Sequence, residues 1–279
     1  MKQKKIIFTD SEIVEFCKAT KDTNELHNPG FMGKMGKRVI VPGMFALTRT
    51  VNLSADLLKS HANVIKVIFN SLLSSGDFVT LCTIPDPENP YEVRLSAINH
   101  KDTLASKDDY ARMFRGESKF EDFIEGIRHR IDLDIEQIEC FNRLIGTNDP
   151  DIANFLFAVA YTSRALLNAI HYPETEVEKE IDGVINRVTN RNSKVSPFYQ
   201  SLEIHVPSPF PVFTPGSPID YFIHYERETP CKLYTAHVRC EIDGKIIFHS
   251  QYKMGGIPDL VILRMAKDAH PAKKIIPEL

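Results

Sequence analysis

Two helix starts 125 residues apart use the same chemistry, and this repeat constrains the fold more than any other feature of the chain. Thr9-Asp10-Ser11-Glu12 fits a capping box, with Thr9 as N-cap and Glu12 at the third helical position. Behind it Ile13, Phe16, Cys17 and Thr20 keep helical spacing. Downstream, Asp134 takes the place of Thr9, Gln137 that of Glu12, Ile138 that of Ile13 and Phe141 that of Phe16. Each start leads to an apolar helix. Met44, Leu47, Val51 and Leu58 mark the first, Phe45 to Leu58; Phe155, Val159, Leu166 and Ile170 mark the second, Asn154 to Ile170. Strand-like tracts follow both, 64–69 leading to 75–82 and 199–206 leading to 215–222, with Gly76 and Gly216 at the turns. Each half then closes with a hairpin. The first turns at Asn99 to Thr103; the second runs Leu233 to Ile242, turns at Asp243-Gly244 and returns from Lys245 to Met254.

A segment order used twice predicts an α+β protein of two like domains, residues 1–115 and 118–265, each a long helix set against an antiparallel sheet. The polar stretch Tyr172 to Pro197 reads as a surface loop or short helix, and 266–279 as a loose tail. With 43% hydrophobic and 25% charged residues the chain has the composition of a globular protein with a real core. A net charge of −3 and a pI near 6.4 give no nucleic-acid footprint. No apolar run approaches a membrane span, and the start is too short for a signal-peptide core. Five scattered cysteines read as reduced thiols in a cytoplasmic protein. The ten histidines form no pair with zinc-ligand spacing, so no metal is expected. Cys17, on the apolar face of the first helix, reads as a core residue.

One stretch carries chemistry. Asp22-Thr23-Asn24-Glu25-Leu26-His27 places a carboxylate and an imidazole five residues apart, and Pro42-Gly43-Met44 then opens an apolar helix. By themselves these residues read equally as a polar turn, since Asp-Thr-Asn and Asn28-Pro29 are ordinary turn sequences. Together with Phe8-Thr9-Asp10 and Ser75-Gly76-Asp77 they resemble the MaoC-like (R)-specific enoyl-thioester hydratases and dehydratases, whose hotdog fold wraps a sheet around one central helix. The likeness covers the first half; the second resembles a hotdog in layout only, which implies a tandem, or double, hotdog.

The resemblance implies reversible conversion of trans-2-enoyl thioesters to (R)-3-hydroxyacyl thioesters, with the acyl chain on coenzyme A or acyl carrier protein and no cofactor. Asp22 and His27 would be the catalytic pair, the Gly43 amide the oxyanion contact, and Asn24 and Met44 would lie beside the substrate. The apolar residues of the first central helix would line an acyl tunnel, although most read more simply as core. Three positions depart from the family pattern: Lys21 replaces a glycine, Glu25 a proline, and Pro42 a histidine. They leave open a hotdog thioesterase, or a non-catalytic acyl-binding or partner subunit. Aligned on Phe16 and Phe141, the second half puts Thr147 at the place of Asp22 and Ile152 at that of His27, and lacks about 13 residues matching Asn28 to Val41. One active site per chain is therefore expected, in the first half, and a homodimer of chains is compatible with the layout.

Overall fold

The computed structural model describes residues 2–60, 62–69, 72–86, 92–99, 111–116, 125–132, 134–189, 195–212, 217–228 and 233–269. The first half runs β1 (Lys2–Ile7), α1 (Asp10–Thr20), a 3-10 turn (Glu25–His27), α2 (Pro29–Lys34), α3 (Gly43–Asn52), α4 (Ala55–Ser60), β2 (Val64–Ile68), β3 (Phe78–Pro85), β4 (Val93–Asn99) and β5 (Ala111–Phe114). The second runs β6 (Ile127–Ile131), α5 (Ile135–Ile145), α6 (Pro150–His171), α7 (Glu176–Thr189), β7 (Val195–His205), β8 (Ile219–Glu228), β9 (Leu233–Ile242), β10 (Lys245–Pro258) and α8 (Asp259–Met265).

All ten strands form one antiparallel sheet in the order β1-β3-β4-β5-β2-β7-β10-β9-β8-β6. Exchanging the halves strand for strand reverses this order onto itself, so the two repeats meet about a pseudo-two-fold axis between β2 and β7. Five residue pairs, from Val64 with His205 to Ile68 with Ser201, make that join. The central helices pack on the sheet, α3 against β4 and α6 against β6 and β8. The central helix of the second half, α6, is buried along most of its length, and two sheet tyrosines donate to its carbonyls: Tyr221 to Ala158 at 2.8 Å and Tyr225 to Leu166 at 3.1 Å.

The matched helices touch each other. Phe16 lies 5.9 Å from Phe141, ring centre to ring centre. Each also packs on its own central helix, Phe16 stacked on Phe45 at 4.5 Å and Phe141 edge-on to Phe157 at 5.1 Å. Aromatic pairs of this kind add about 0.5–1.5 kcal/mol beyond their buried area. Arg49 of α3 ties the same region with charge. It pairs with Glu12 at 2.7 Å and donates to the Leu144 carbonyl at the end of α5 at 2.8 Å. Burial pushes the Glu12 carboxyl up, but the Thr9 amide and the Arg49 guanidinium outweigh it and hold the group below its ordinary value.

Several expectations need correction. The helix expected over Phe45 to Leu58 is two helices. Thr48 and Thr50 bond back to carbonyls four residues earlier, which bends helices, and Leu53 and Ser54 close a tighter turn onto Thr50 and Val51. The second central helix is longer than Asn154 to Ile170, because Asp149 caps it and Pro150 fits its first turn. The capping box of α1 forms in full, whereas at α5 only Asp134 caps; the buried Gln137 Oε1 has no hydrogen-bond partner. Residues 2–7, for which the sequence predicts no element, form an edge strand on β3. The stretch after Tyr172 holds a 14-residue helix, α7. The tail is not loose at its beginning, since Arg38 donates to the Lys267 carbonyl and Ala269 to that of Gly36, both at 2.9 Å. The Asp243-Gly244 turn forms with both residues at positive φ, as its sequence requires. Tyr91, residues 100–103, 213–216 and 270–279 lie outside the described residues.

Two predictions follow from the α1 and α5 ends. Lys21 (φ 52°) and Gly146 (φ 71°) occupy the same left-handed cap position in the two repeats. A Cβ on Gly146 would meet nothing within 4 Å, so Gly146→Ala tests the backbone alone. It should cost about 1 kcal/mol in urea unfolding, while Lys21→Gly should not destabilise the protein. Because the Glu12 pKa is lowered on folding, its contribution is full above the unfolded carboxylate range and lost as pH falls through the folded value. The stability gap between wild type and Glu12→Gln should therefore shrink below about pH 4.3, and a gap constant with pH would contradict this.

Candidate active site

The stretch from Asp22 to Pro29 folds through successive side-chain caps. The Asp22 amide closes α1 onto the Cys17 carbonyl at 2.9 Å. Asp22 Oδ1 accepts the Asn24 amide at 3.0 Å, and Asn24 Oδ1 accepts the Leu26 amide at 3.1 Å, capping the 3-10 turn. Asn28 Oδ1 then caps α2 through Gly30 and Phe31. Leu26 plugs the loop into the core, leaving Asp22 and His27 on either side of it with side chains 15% and 12% exposed. The turn expected from Asp22-Thr23-Asn24 and Asn28-Pro29 forms, and the same loop carries Asp22 and His27.

Ile40 holds this loop from the other side. Its amide donates to the Leu26 carbonyl at 3.1 Å, and its carbonyl lies 2.7 Å from His27 Nδ1. A carbonyl only accepts, so Nδ1 carries a proton and Nε2 points the other way. That atom faces Asp22 Oδ2 at 3.9 Å. The gap is too long for a direct hydrogen bond and suits a single water donating to both groups.

Gly43 begins α3 three residues after Ile40, and three residues of extended chain reach at most about 11 Å. Gly43 therefore lies within about 11 Å of Ile40, whose carbonyl meets His27. Gly43 is exposed, and an added Cβ would approach the Phe69 ring to 3.0 Å. The missing side chain is accounted for by that ring as well as by any ligand. Met44 is buried in the core at 3% exposure, which leaves only its backbone to approach a substrate. Asn24 acts on the loop itself. The apolar residues of α3, Phe45, Ala46, Leu47 and Val51, are close-packed core.

The three departures have physical readings. Lys21 takes the left-handed backbone that favours glycine. Glu25 occupies the first position of the 3-10 turn, where proline fits but is not required. Pro42 is the N-cap of α3, in extended backbone.

The second half contributes groups that local sequence did not reveal. Tyr199 of β7 stacks toward Phe69 at 6.3 Å. Burial pushes its phenol up, the Ser163 hydroxyl opposes this, and the charge of Asp22 adds to it, so the ring lies within electrostatic reach of the carboxylate. Ser196 donates to Asp259 at 2.8 Å and lies 3.5 Å from Asn24 Oδ1. No spacing rule connects residues this far apart in the chain. Burial, then the Asp22 charge, pushes the Cys17 thiol up, which makes it a poor nucleophile. A cleft of about 670 Å³ lined by Pro29, Gly33, Arg38 and Gly76 lies nearby, but neither Asp22 nor His27 lines it. Among the described residues no cluster of three or more His, Cys, Asp or Glu could hold a metal, and no helix is long and apolar enough to cross a membrane.

Comparison with solved structures fixes the fold. A MaoC-like dehydratase aligns with a TM-score of 0.53 at 10% identity, covering 91% of this chain and 97% of that one. A MaoC-like dehydratase from Phytophthora capsici gives 0.53 at 11% identity, covering 90% and 94%. This chain has the double-hotdog fold of the MaoC-like dehydratases. A MaoC domain protein dehydratase from Chloroflexus aurantiacus aligns equally well, 0.53 at 9% identity over 92% and 95%. At such identity the MaoC-like likeness is one of fold. No family model matches the sequence, and no curated protein does.

The contact between Gly43 and Phe69 is directly testable. Gly43→Ala should destabilise the protein by about 1 kcal/mol through overpacking, and the same change in a Phe69→Leu background should cost clearly less. Equal costs in both backgrounds would show that the ring does not decide this position.

Proposed function

We propose that this chain adds water reversibly to trans-2-enoyl thioesters, giving (R)-3-hydroxyacyl thioesters carried on coenzyme A or acyl carrier protein. The observation that carries this reading is the 3.9 Å approach of Asp22 Oδ2 to a His27 Nε2 whose partner nitrogen is tied to a carbonyl. A water between them would be activated as its oxygen bonds to Cβ. Its proton would pass to His27 Nε2 and be returned to Cα. The alkene electrons move toward the thioester carbonyl, and the enolate oxygen would be met by the Gly43 amide at the start of α3, with the helix dipole behind it. Every atom of the water ends in the product, so no further reactant is needed.

The activity belongs to the first half in this reading. At the positions matching Asp22 and His27 the second half has Thr147 and Ile152, and Ile152 is buried in α6. The second half completes the sheet and supplies the Tyr199 side of the site.

Purified protein should remove the enoyl absorbance of crotonyl-CoA or a longer enoyl-CoA without releasing free thiol. Asp22→Asn and His27→Ala should each lower the rate by about 10²-fold or more while leaving the fold intact. Unchanged substrate, or thiol release with the double bond retained, would overturn the hydratase reading.

A further inference from the structure

The Ser75-Gly76-Asp77 turn has no part in the chemistry above, yet Asp77 is wholly buried and charged-paired on both oxygens. Oδ1 meets Arg38 at 2.8 Å, and Oδ2 meets Lys267 at 3.0 Å and the Ser74 amide at 3.1 Å. A carboxylate buried this completely is tolerated only with such partners. The two cations come from opposite ends of the chain. They are brought side by side because residues 36–38 pair with 267–269: Arg38 donates to the Lys267 carbonyl, Ala269 to Gly36, and Lys37 Nζ reaches Asp268 at 2.6 Å. The same Arg38 Nη2 that meets Asp77 also donates to the carbonyls of Ser74 and Ser75.

The segment clamped in this way continues into the site. Val39 accepts the Ser75 amide at 2.8 Å, Ile40 bridges Ser74, and Val41 donates to the Leu73 carbonyl at 2.8 Å. Ile40 is the residue whose carbonyl fixes the His27 tautomer. One residue, Val39, separates the Arg38 clamp from Ile40. The run of chain from 28 to 41 is also the stretch the second repeat lacks, so this repeat needs an anchor that its copy does not.

We propose that Asp77, with Arg38 and Lys267, is a positioning device for His27: it locks residues 36–41 between the 73–77 turn and the strap at 267–269, so that the Ile40 carbonyl holds the proton on Nδ1 and aims Nε2 at Asp22. The device rests on the proposed hydration in that it positions the same histidine, but it acts on a tautomer that exists without substrate. The strap makes the end of the second half part of the first half's site.

The test uses full-length protein with 15N-labelled histidine. In wild type, neutral His27 should show the Nδ1-protonated tautomer. Asp77→Asn should move its two nitrogen signals toward an averaged tautomer mixture and lower kcat about ten-fold with little change in KM. Lys267→Met, which removes one charge from a partly exposed side chain, should do the same to a smaller extent and remains informative if Asp77→Asn does not fold. Lys267→Arg should restore the wild-type signals. A lowered melting temperature with His27 signals and kcat unchanged would overturn the proposal and leave the clamp a purely structural one. If wild type hydrates no enoyl thioester, the proposed reaction fails, while the positioning role is still decided by the nitrogen signals.

Discussion

Pairing of β2 with β7, from Val64 opposite His205 to Ile68 opposite Ser201, joins two five-stranded halves into one sheet. Without it the halves would present β2 and β7 as bare edges, templates for association with other chains. The join also sets where everything else falls. It places α1 against α5, brings Phe16 onto Phe141, and carries β7 with Tyr199 and Ser196 up to the loop of the first half. The outer edges that remain are β1 and β6, and their Lys2, Lys4, Lys5, Arg128 and Arg130 are charges of the kind that discourage edge pairing.

The asymmetry between the halves is chemical and lies on a symmetric frame. Lys21 and Gly146 end equivalent helices in the same left-handed turn, and the chains then part. In the second half Thr147 leads within two residues to Asp149, which caps α6. In the first, the caps supplied by Asp22, Asn24 and Asn28 build a longer excursion before α3 begins. The imidazole of His27 stands just before the extra chain, which supplies the Ile40 carbonyl that orients it. A histidine whose Nδ1 is bound to a carbonyl and whose Nε2 faces a carboxylate is arranged to exchange a proton with whatever lies between.

Much of this was legible in sequence wherever a local rule governed it. The capping box at Thr9, the Asp243-Gly244 turn and the two-fold segment order depend on neighbours a few residues apart, and they formed. The break after Asn52 went unread because apolar spacing continues through it while Thr48 and Thr50 bend the backbone. The edge strand at Lys2–Ile7 carries little alternation and is fixed by β3, whose nearest paired residue, Phe78 opposite Ile7, lies far along the chain. The Asp77 clamp on Arg38 and Lys267 had no local signal at all, since its members come from three separated segments. Asp22 and His27 could be proposed as a pair from sequence, but the tautomer could not, because it is set by a carbonyl 13 residues from the histidine.

The proposed site is single in each chain, lies in the first half and is built on Asp22 and His27. Calorimetric titration with a saturated acyl-CoA analogue carrying CH2 in place of the thioester sulfur tests it most directly. Such an analogue counts binding without turnover, because it has no double bond to hydrate and no thioester to cleave. One site per chain is predicted, with binding that perturbs the His27 nitrogen signals. Two sites per chain, or binding that leaves His27 untouched, would contradict it.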